Sequence, residues 1–258
     1  MPRRLGISSW LKALGDALAG LAFPQLCRLC AAPVESLDDG ATCHRCWQQM
    51  PEMSTERGCP RCGWPRPGWA ISASRLSRCS HCRDAHFALL RSAGPYQGAL
   101  RENLLLLKHY PYLCGRVRAL IARTIRREPA FARVERVIPV PLHPRRLKER
   151  GFNQAAVIAR VIAREMGIPL DSRTMIRIKH TDRHRAGMDA VARMKSVARA
   201  FAVTRPERIR GKTVLLVDDV FTTGATLNAC SRVLVEAGAE AVYGFTVARV
   251  MTWNPIVP

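Results

Sequence analysis

The 258-residue chain has no stretch of 18 apolar residues, which excludes a helix long and greasy enough to span a membrane. It has no Gly-X-Y period and no sustained heptad, so it is neither collagen-like nor a long coiled coil. Aromatic residues make up only 6%, leaving few rings on which unpaired bases could stack. Acids are scarce: 20 Asp and Glu stand against 41 Lys and Arg, a net charge of +21. A Walker-type phosphate loop is missing as well. Gly211-Lys212-Thr213 has no upstream glycine and precedes a strand-like run instead of following one. What remains is 48% hydrophobic and 24% charged, a globular composition sufficient for one large domain or two modest ones.

The positive charge is concentrated. Residues 91–210 hold 27 basic and 9 acidic groups, a net +18, whereas residues 1–90 carry +4 and residues 211–258 carry −1. Only six of the cations are lysine, as coding bias would give, but such bias does not explain the missing acids. The middle of the chain should attract phosphate-bearing partners, among them a polyanion such as single-stranded DNA.

Eight of the ten cysteines fall in four pairs of one spacing, C-x-x-C: Cys27/Cys30, Cys43/Cys46, Cys59/Cys62 and Cys79/Cys82. Trp10-Leu11-Lys12 onward reads as a short amphipathic helix and not as a signal peptide, which points to the cytoplasm and to metal over disulfides. Each knuckle places two sulfurs on one tight turn, and linkers of 12 and 16 residues between knuckles suit a zinc ribbon. Cys27, Cys30, Cys43 and Cys46 are assigned to one Zn2+, and Cys59, Cys62, Cys79 and Cys82 to a second; the spacing leaves an interleaved pairing open. Four thiolates leave no position for water, so both ions are expected to be structural. His44, His81 and His86 lie nearby but have no vacancy to fill. Trp47, Trp64 and Trp69 are either a small core or docking anchors.

Residues 213–226, Thr-Val-Leu-Leu-Val-Asp-Asp-Val-Phe-Thr-Thr-Gly-Ala-Thr, carry the most chemistry. Val214–Val217 is a continuous apolar run, as in a central parallel strand covered on both faces. Asp218 and Asp219 then fall at its carboxyl end, where α/β folds place ligands. Thr222, Thr223, Gly224 and Thr226 form a hydroxyl-rich turn into a helix, and the amides at such a helix start favour an anion. Two carboxylates beside a phosphate cradle make sense if the ligand carries both a phosphate and ribose hydroxyls. Upstream, Val137-Ile-Pro-Val-Pro-Leu-His143 reads as a strand ending in a turn, followed by Arg145, Arg146, Lys148 and Arg150, cations suited to pyrophosphate oxygens.

The spacing predicts helices over 98–108, 113–127, 152–166 and 225–237, and strands over 136–140, 174–178, 213–218 and 241–248. This alternation implies an α/β fold with a mostly parallel sheet. The expected organisation is a helix over 1–23, a double zinc-ribbon module over 24–88, an α/β domain over 89–250 and a tail over 251–258. Residues 181–200 are basic and unpatterned, as a hood or flap would be.

Leu216-Val217-Asp218-Asp219-Val220-Phe221-Thr222-Thr223-Gly224-Ala225-Thr226 resembles the phosphoribosyl-pyrophosphate (PRPP) signature of type I phosphoribosyltransferases. With the cysteine knuckles, Lys108, Pro-Val-Pro-Leu-His143 and Arg150-Gly-Phe-Asn-Gln154, the chain resembles the ComF family, also called the GntX group. His184 and Ser196 stand where family members usually carry Gln and Asn. The resemblance implies a type I phosphoribosyltransferase domain in which Asp218 and Asp219 hold the ribose and Val220, Phe221, Thr222, Thr223, Gly224, Ala225 and Thr226 bind PRPP. Pro141, His143, Arg145, Arg146, Lys148 and Arg150 would then face pyrophosphate with Mg2+. It implies transfer of ribose 5-phosphate to a nitrogenous acceptor or, alternatively, a non-catalytic PRPP-responsive protein that binds nucleic acid. It also implies a link to DNA uptake and its proteins.

Overall fold

The computed structural model describes residues 25–51, 53, 58–64, 79, 82–179 and 199–251, together with Gly15. The expected helix over 1–23, His81, Trp69, His184, Ser196 and nearly all of the expected hood and tail lie outside the described residues. Along the chain come α1 (His44–Gln48), β1 (Leu89–Pro95), α2 (Gly98–Leu107), α3 (Gly115–Arg127), β2 (Arg136–Pro139) and α4 (Pro144–Arg150). They are followed by α5 (Gln154–Met166), β3 (Met175–Arg177), β4 (Phe201–Val203), β5 (Thr213–Phe221), α6 (Ala225–Glu236) and β6 (Ala241–Arg249).

Four strands form one sheet in the order β1-β6-β5-β2, every pairing parallel. A strand that is apolar at every position is stable only where both faces are covered. In β5, Leu215 and Val217 point into one core, with Ile121 of α3 and Ile158 and Ile162 of α5. Val214 and Leu216 point into the other, with Leu227, Cys230 and Leu234 of α6. Burial of each such side chain contributes about 1.5–3 kcal/mol. The second core also contains Cys59, Cys62, Cys79 and Cys82.

The eight expected elements are present within about two residues at each end, apart from β5, which runs on to Phe221. Asp218, Asp219, Val220 and Phe221 are therefore strand residues, and the turn proper is Thr222–Gly224. Two differences matter. The expected strand over 174–178 does not join the parallel sheet: β3 pairs antiparallel with β4, apart from it. The basic stretch after His143, read as a turn, is the helix α4, begun by Pro144 and closed by Gly151 at φ +81°. Among the described residues, no helix is long and apolar enough to cross a membrane.

Candidate functional site

The parallel sheet directs the carboxyl ends of β2 and β5 to one edge, and a cavity of about 320 Å³ opens there. Pro141 and Leu142 after β2 form one wall, and Asp218, Asp219, Val220, Thr222 and Thr226 form another. Arg146 and Arg150 reach it from α4, Lys108 from the end of α2, and Arg177 from β3. Four cations thus face two carboxylates, a balance suited to a ligand with several phosphate charges and a few hydroxyls.

Local folding sets each group. Asn153 caps α5 by accepting from the Ala155 amide at 3.0 Å, and its Nδ2 donates to the Val140 carbonyl at 2.9 Å. That pair of bonds fixes α5 against the Pro-rich turn. Arg150 Nη1 donates to Gln154 Oε1 at 2.5 Å, which holds its side chain at the cavity. The Asp219 amide donates to Asp218 Oδ1 at 2.9 Å, and the Val220 amide to Asp219 Oδ1 at 2.8 Å. Gly224 takes φ +79°, and a Cβ there would lie 2.7 Å from Cζ of Phe221. The turn therefore needs glycine twice over, for its backbone angle and for space. The amides that follow open α6, where the helix dipole favours an anion.

Burial, and then the charge of Asp219, push the Asp218 carboxyl well above the usual carboxylate range, against the pull of Arg177. Arg177 is lowered by burial and then by Arg146, while Cys230 and Asp218 act in the opposite sense. Asp218 and Arg177 are thus partly withdrawn from water and tuned by their charged neighbours, as in many ligand sites.

The expected residues divide. Pro141, Arg146, Arg150, Asp218, Asp219, Val220, Thr222 and Thr226 meet in the cavity. Thr223 accepts weakly from the Ala225 amide at 3.4 Å within the turn. Phe221 is 4% exposed and turned into the second core, so its side chain supports the turn from below. His143 caps α4 by accepting from the Arg145 amide at 3.3 Å. Arg145 pairs with Glu149 at 3.2 Å on the exposed face of α4, and Lys148 is exposed. None of these three lines the cavity. Sequence reasoning missed Arg177 and Tyr96, which do. Arg177 sits in an expected strand, but its approach depends on the β3–β4 pair, which no local pattern announces.

The cysteines form two sets, Cys27/Cys30/Cys43/Cys46 and Cys59/Cys62/Cys79/Cys82, with all sulfurs in each set within 4.8 Å of one another. The pairing is therefore sequential. Neighbouring sulfurs lie 3.5–3.7 Å apart in the first set and 3.4–3.6 Å in the second. A tetrahedral Zn2+ with Zn–S bonds of about 2.3 Å sets its ligands about 3.8 Å apart, so both sets fit a closed structural zinc site. His44 instead contacts Gln48 and Arg116, and His86 contacts Asn228. Trp47 is buried and donates to the Asp39 carbonyl at 2.8 Å, a core role.

The double zinc ribbon domain matches residues 18–85 and the phosphoribosyl transferase domain residues 153–252. The "DNA utilization protein YhgH" of Salmonella typhimurium is 28% identical over 245 residues, covering 90% of this chain and 100% of that protein. "Competence protein ComFC" of Bacillus subtilis is 28% identical over 220 residues, covering 82% of this chain and 85% of that protein. Among solved structures, the B. subtilis glutamine PRPP amidotransferase complexed with ADP and GMP matches with a TM-score of 0.34 and 20% identity. That match covers 50% of this chain and 25% of the amidotransferase. Two tetrathiolate sets ahead of an α/β domain and the two domain matches describe a double zinc ribbon joined to a type I phosphoribosyltransferase domain, a make-up consistent with the ComF family to which the competence-named relatives point.

Proposed function

We propose that the cavity at the carboxyl edge of the sheet binds PRPP with Mg2+ and that the protein transfers its ribose 5-phosphate to a nitrogenous acceptor. One observation carries the reading: a hydroxyl-rich turn at a helix start, two carboxylates and four cations share one cavity. The turn and the amides opening α6 would take the 5-phosphate. Asp218 and Asp219 would accept from the two ribose hydroxyls, and Arg146, Arg150, Lys108 and Arg177 would face the pyrophosphate. Mg2+ accompanying the substrate would neutralise pyrophosphate oxygens.

In the reaction, the acceptor nitrogen's lone pair forms the N–C1 bond as the C1–O bond breaks. Pyrophosphate leaves with that electron pair, and the acceptor gives up its N–H proton. Positive charge develops at C1 on the way, so positioning and electrostatics carry most of the catalysis. The paired thiols favour a reducing compartment such as the cytoplasm as the site of action.

A second reading is a PRPP-responsive protein of DNA uptake that does not turn over. The names of the Salmonella and Bacillus relatives and the net +18 of residues 91–210 favour it. The test is calorimetry of the zinc-loaded protein with Mg-PRPP, followed by assay of pyrophosphate release with a panel of nitrogenous bases. Saturable binding with release supports the transferase, and binding without release supports the second reading. No binding at millimolar Mg-PRPP rejects both.

A further inference from the structure

Among the described residues, the largest fully buried side chain is not part of the cavity. Arg249, the last residue of β6, is 0% exposed, and among the described residues its guanidinium nitrogens reach no carboxylate, carbonyl or other oxygen acceptor; the Cys62 sulfur lies beside them. A buried cation without a counter-charge costs several kcal/mol, so this one calls for an anion. The two rings on which its guanidinium lies, Phe221 and Trp64, pack in one core with Cys59, Cys62, Cys79 and Cys82, which sets Arg249 beside the second tetrathiolate. Four thiolates around a divalent ion leave two negative charges, the counter-charge that Arg249 lacks.

The other neighbours of Arg249 are rings. Its guanidinium carbon lies 4.6 Å from the Phe221 ring centre and 5.8 Å from that of Trp64, within cation–π range. Trp64 closes the knuckle of Cys59 and Cys62: its carbonyl accepts from the Cys59 amide at 2.9 Å. Phe221 is the register partner of Arg249 across β5 and β6, and its carbonyl accepts from the Val250 amide at 2.9 Å. The Phe221 ring is also the surface on which Gly224 rests. A continuous chain of contacts therefore runs from the thiolates through Arg249 and Phe221 to the turn Thr222–Gly224.

We infer that Arg249 is a positioning residue that couples the second zinc centre to the phosphate-binding turn: it is the counter-charge of that tetrathiolate and, through Phe221, the support under Gly224. The inference rests on the reading of the turn as the phosphate site. It makes the second zinc ribbon a strut of the ligand site as well as a folding unit. Without the metal-bound centre, Arg249 loses the anion it faces and the Phe221 ring loses its support.

The test uses the full-length zinc-loaded protein with Arg249→Met, which removes the charge, and Arg249→Lys, which keeps the charge and loses the planar stack. Three quantities are read: zinc release to a coloured chelator, amide hydrogen exchange of the peptide covering 222–226, and the affinity for Mg-PRPP. With Arg249→Met, one of the two zincs should leave ~10–100-fold faster, the size of effect usual for groups that hold metal ligands in place. The other zinc should leave at the wild-type rate. The turn should exchange faster, and Mg-PRPP affinity should fall ~10-fold or more. With Arg249→Lys, both zincs should be retained while the turn still loosens, and this comparison decides the matter if the Met variant does not fold. Unchanged zinc release in Arg249→Met, or unchanged exchange over 222–226 in both variants, overturns the inference. If the wild type takes up no Mg-PRPP, the reading of the cavity fails, but zinc release and amide exchange still decide the role of Arg249.

Discussion

The two tetrathiolate centres share one motif and differ in their surroundings. Cys27, Cys43 and Cys46 form a small cluster with Val34, and Cys30 is exposed. That centre is fastened to the α/β domain by Trp47, which enters the first core, and by polar contacts: the Ala41 amide donates to Asn103 Oδ1 at 2.9 Å, and Arg116 pairs with Asp39 at 2.8 Å. Cys59, Cys62, Cys79 and Cys82 are all buried, and they share one core with β5, α6 and Phe221. Identical ligand chemistry therefore serves two purposes. The first centre folds its own ribbon, and the second completes the core beneath the turn. A burial environment, not a motif, distinguishes them.

The sharpest way to break this comparison is to remove one ligand from each centre. Cys79→Ser should destabilise the α/β domain by more than ~4 kcal/mol, because metal, counter-charge and core are lost together. Cys30→Ser should cost no more than ~1–3 kcal/mol and leave Mg-PRPP affinity nearly unchanged. Urea unfolding of the two variants and their calorimetry measure this, and equal effects would erase the distinction.

Next in size is the turn itself. Gly224→Ala meets both a positive φ and the Phe221 ring, so it should cost ~2–3 kcal/mol and weaken Mg-PRPP at least tenfold. Thermal unfolding and calorimetry give the two numbers. Asp218→Asn should also weaken Mg-PRPP by ~10–100-fold, through loss of a carboxyl acceptor for a ribose hydroxyl. Its effect on stability has the opposite sign. The folded-state pKa of Asp218 is raised, so the native protein holds that proton more tightly than the unfolded chain. Wild-type stability from this group is intact below the ordinary carboxylate pKa and is lost as pH rises through the raised value. Asp218→Asn should therefore gain stability over the wild type at pH 8 and not at pH 4, as measured by urea midpoints. The smallest effects come from α4. Arg145→Ala should change stability by less than ~0.5 kcal/mol, because the exposed pair with Glu149 contributes little. Arg146→Ala, on the cavity side of the same helix, should weaken Mg-PRPP where Arg145→Ala does not.

Much of this was legible in the sequence because the signals are local. The apolar run of β5 announces a strand covered on both faces, the four C-x-x-C pairs announce metal, and Asn153 with Gln154 announces a helix start. What stayed hidden depends on distant partners. β1 reads Leu-Leu-Arg-Ser-Ala-Gly-Pro, a run whose Gly and Pro suggest a turn, and it becomes a strand by pairing with β6. His143 and Arg145 stand in the same basic stretch as Arg146, and only the helical turn of α4 decides which of them reaches the cavity. Arg177 and Arg249 look like ordinary surface arginines in one dimension. The first is brought to the cavity by the β3–β4 pair, and the second is enclosed by Trp64, Phe221 and a knuckle nearly 190 residues upstream.

The most direct test of the central claim is a crystal structure of the zinc-loaded protein grown with Mg-PRPP. The account predicts the 5-phosphate on the amides of Thr222–Thr226, the ribose hydroxyls on Asp218 and Asp219, and the pyrophosphate toward Arg146 and Arg150. Ligand held on exposed arginines of the basic middle segment, with the turn empty, would contradict it.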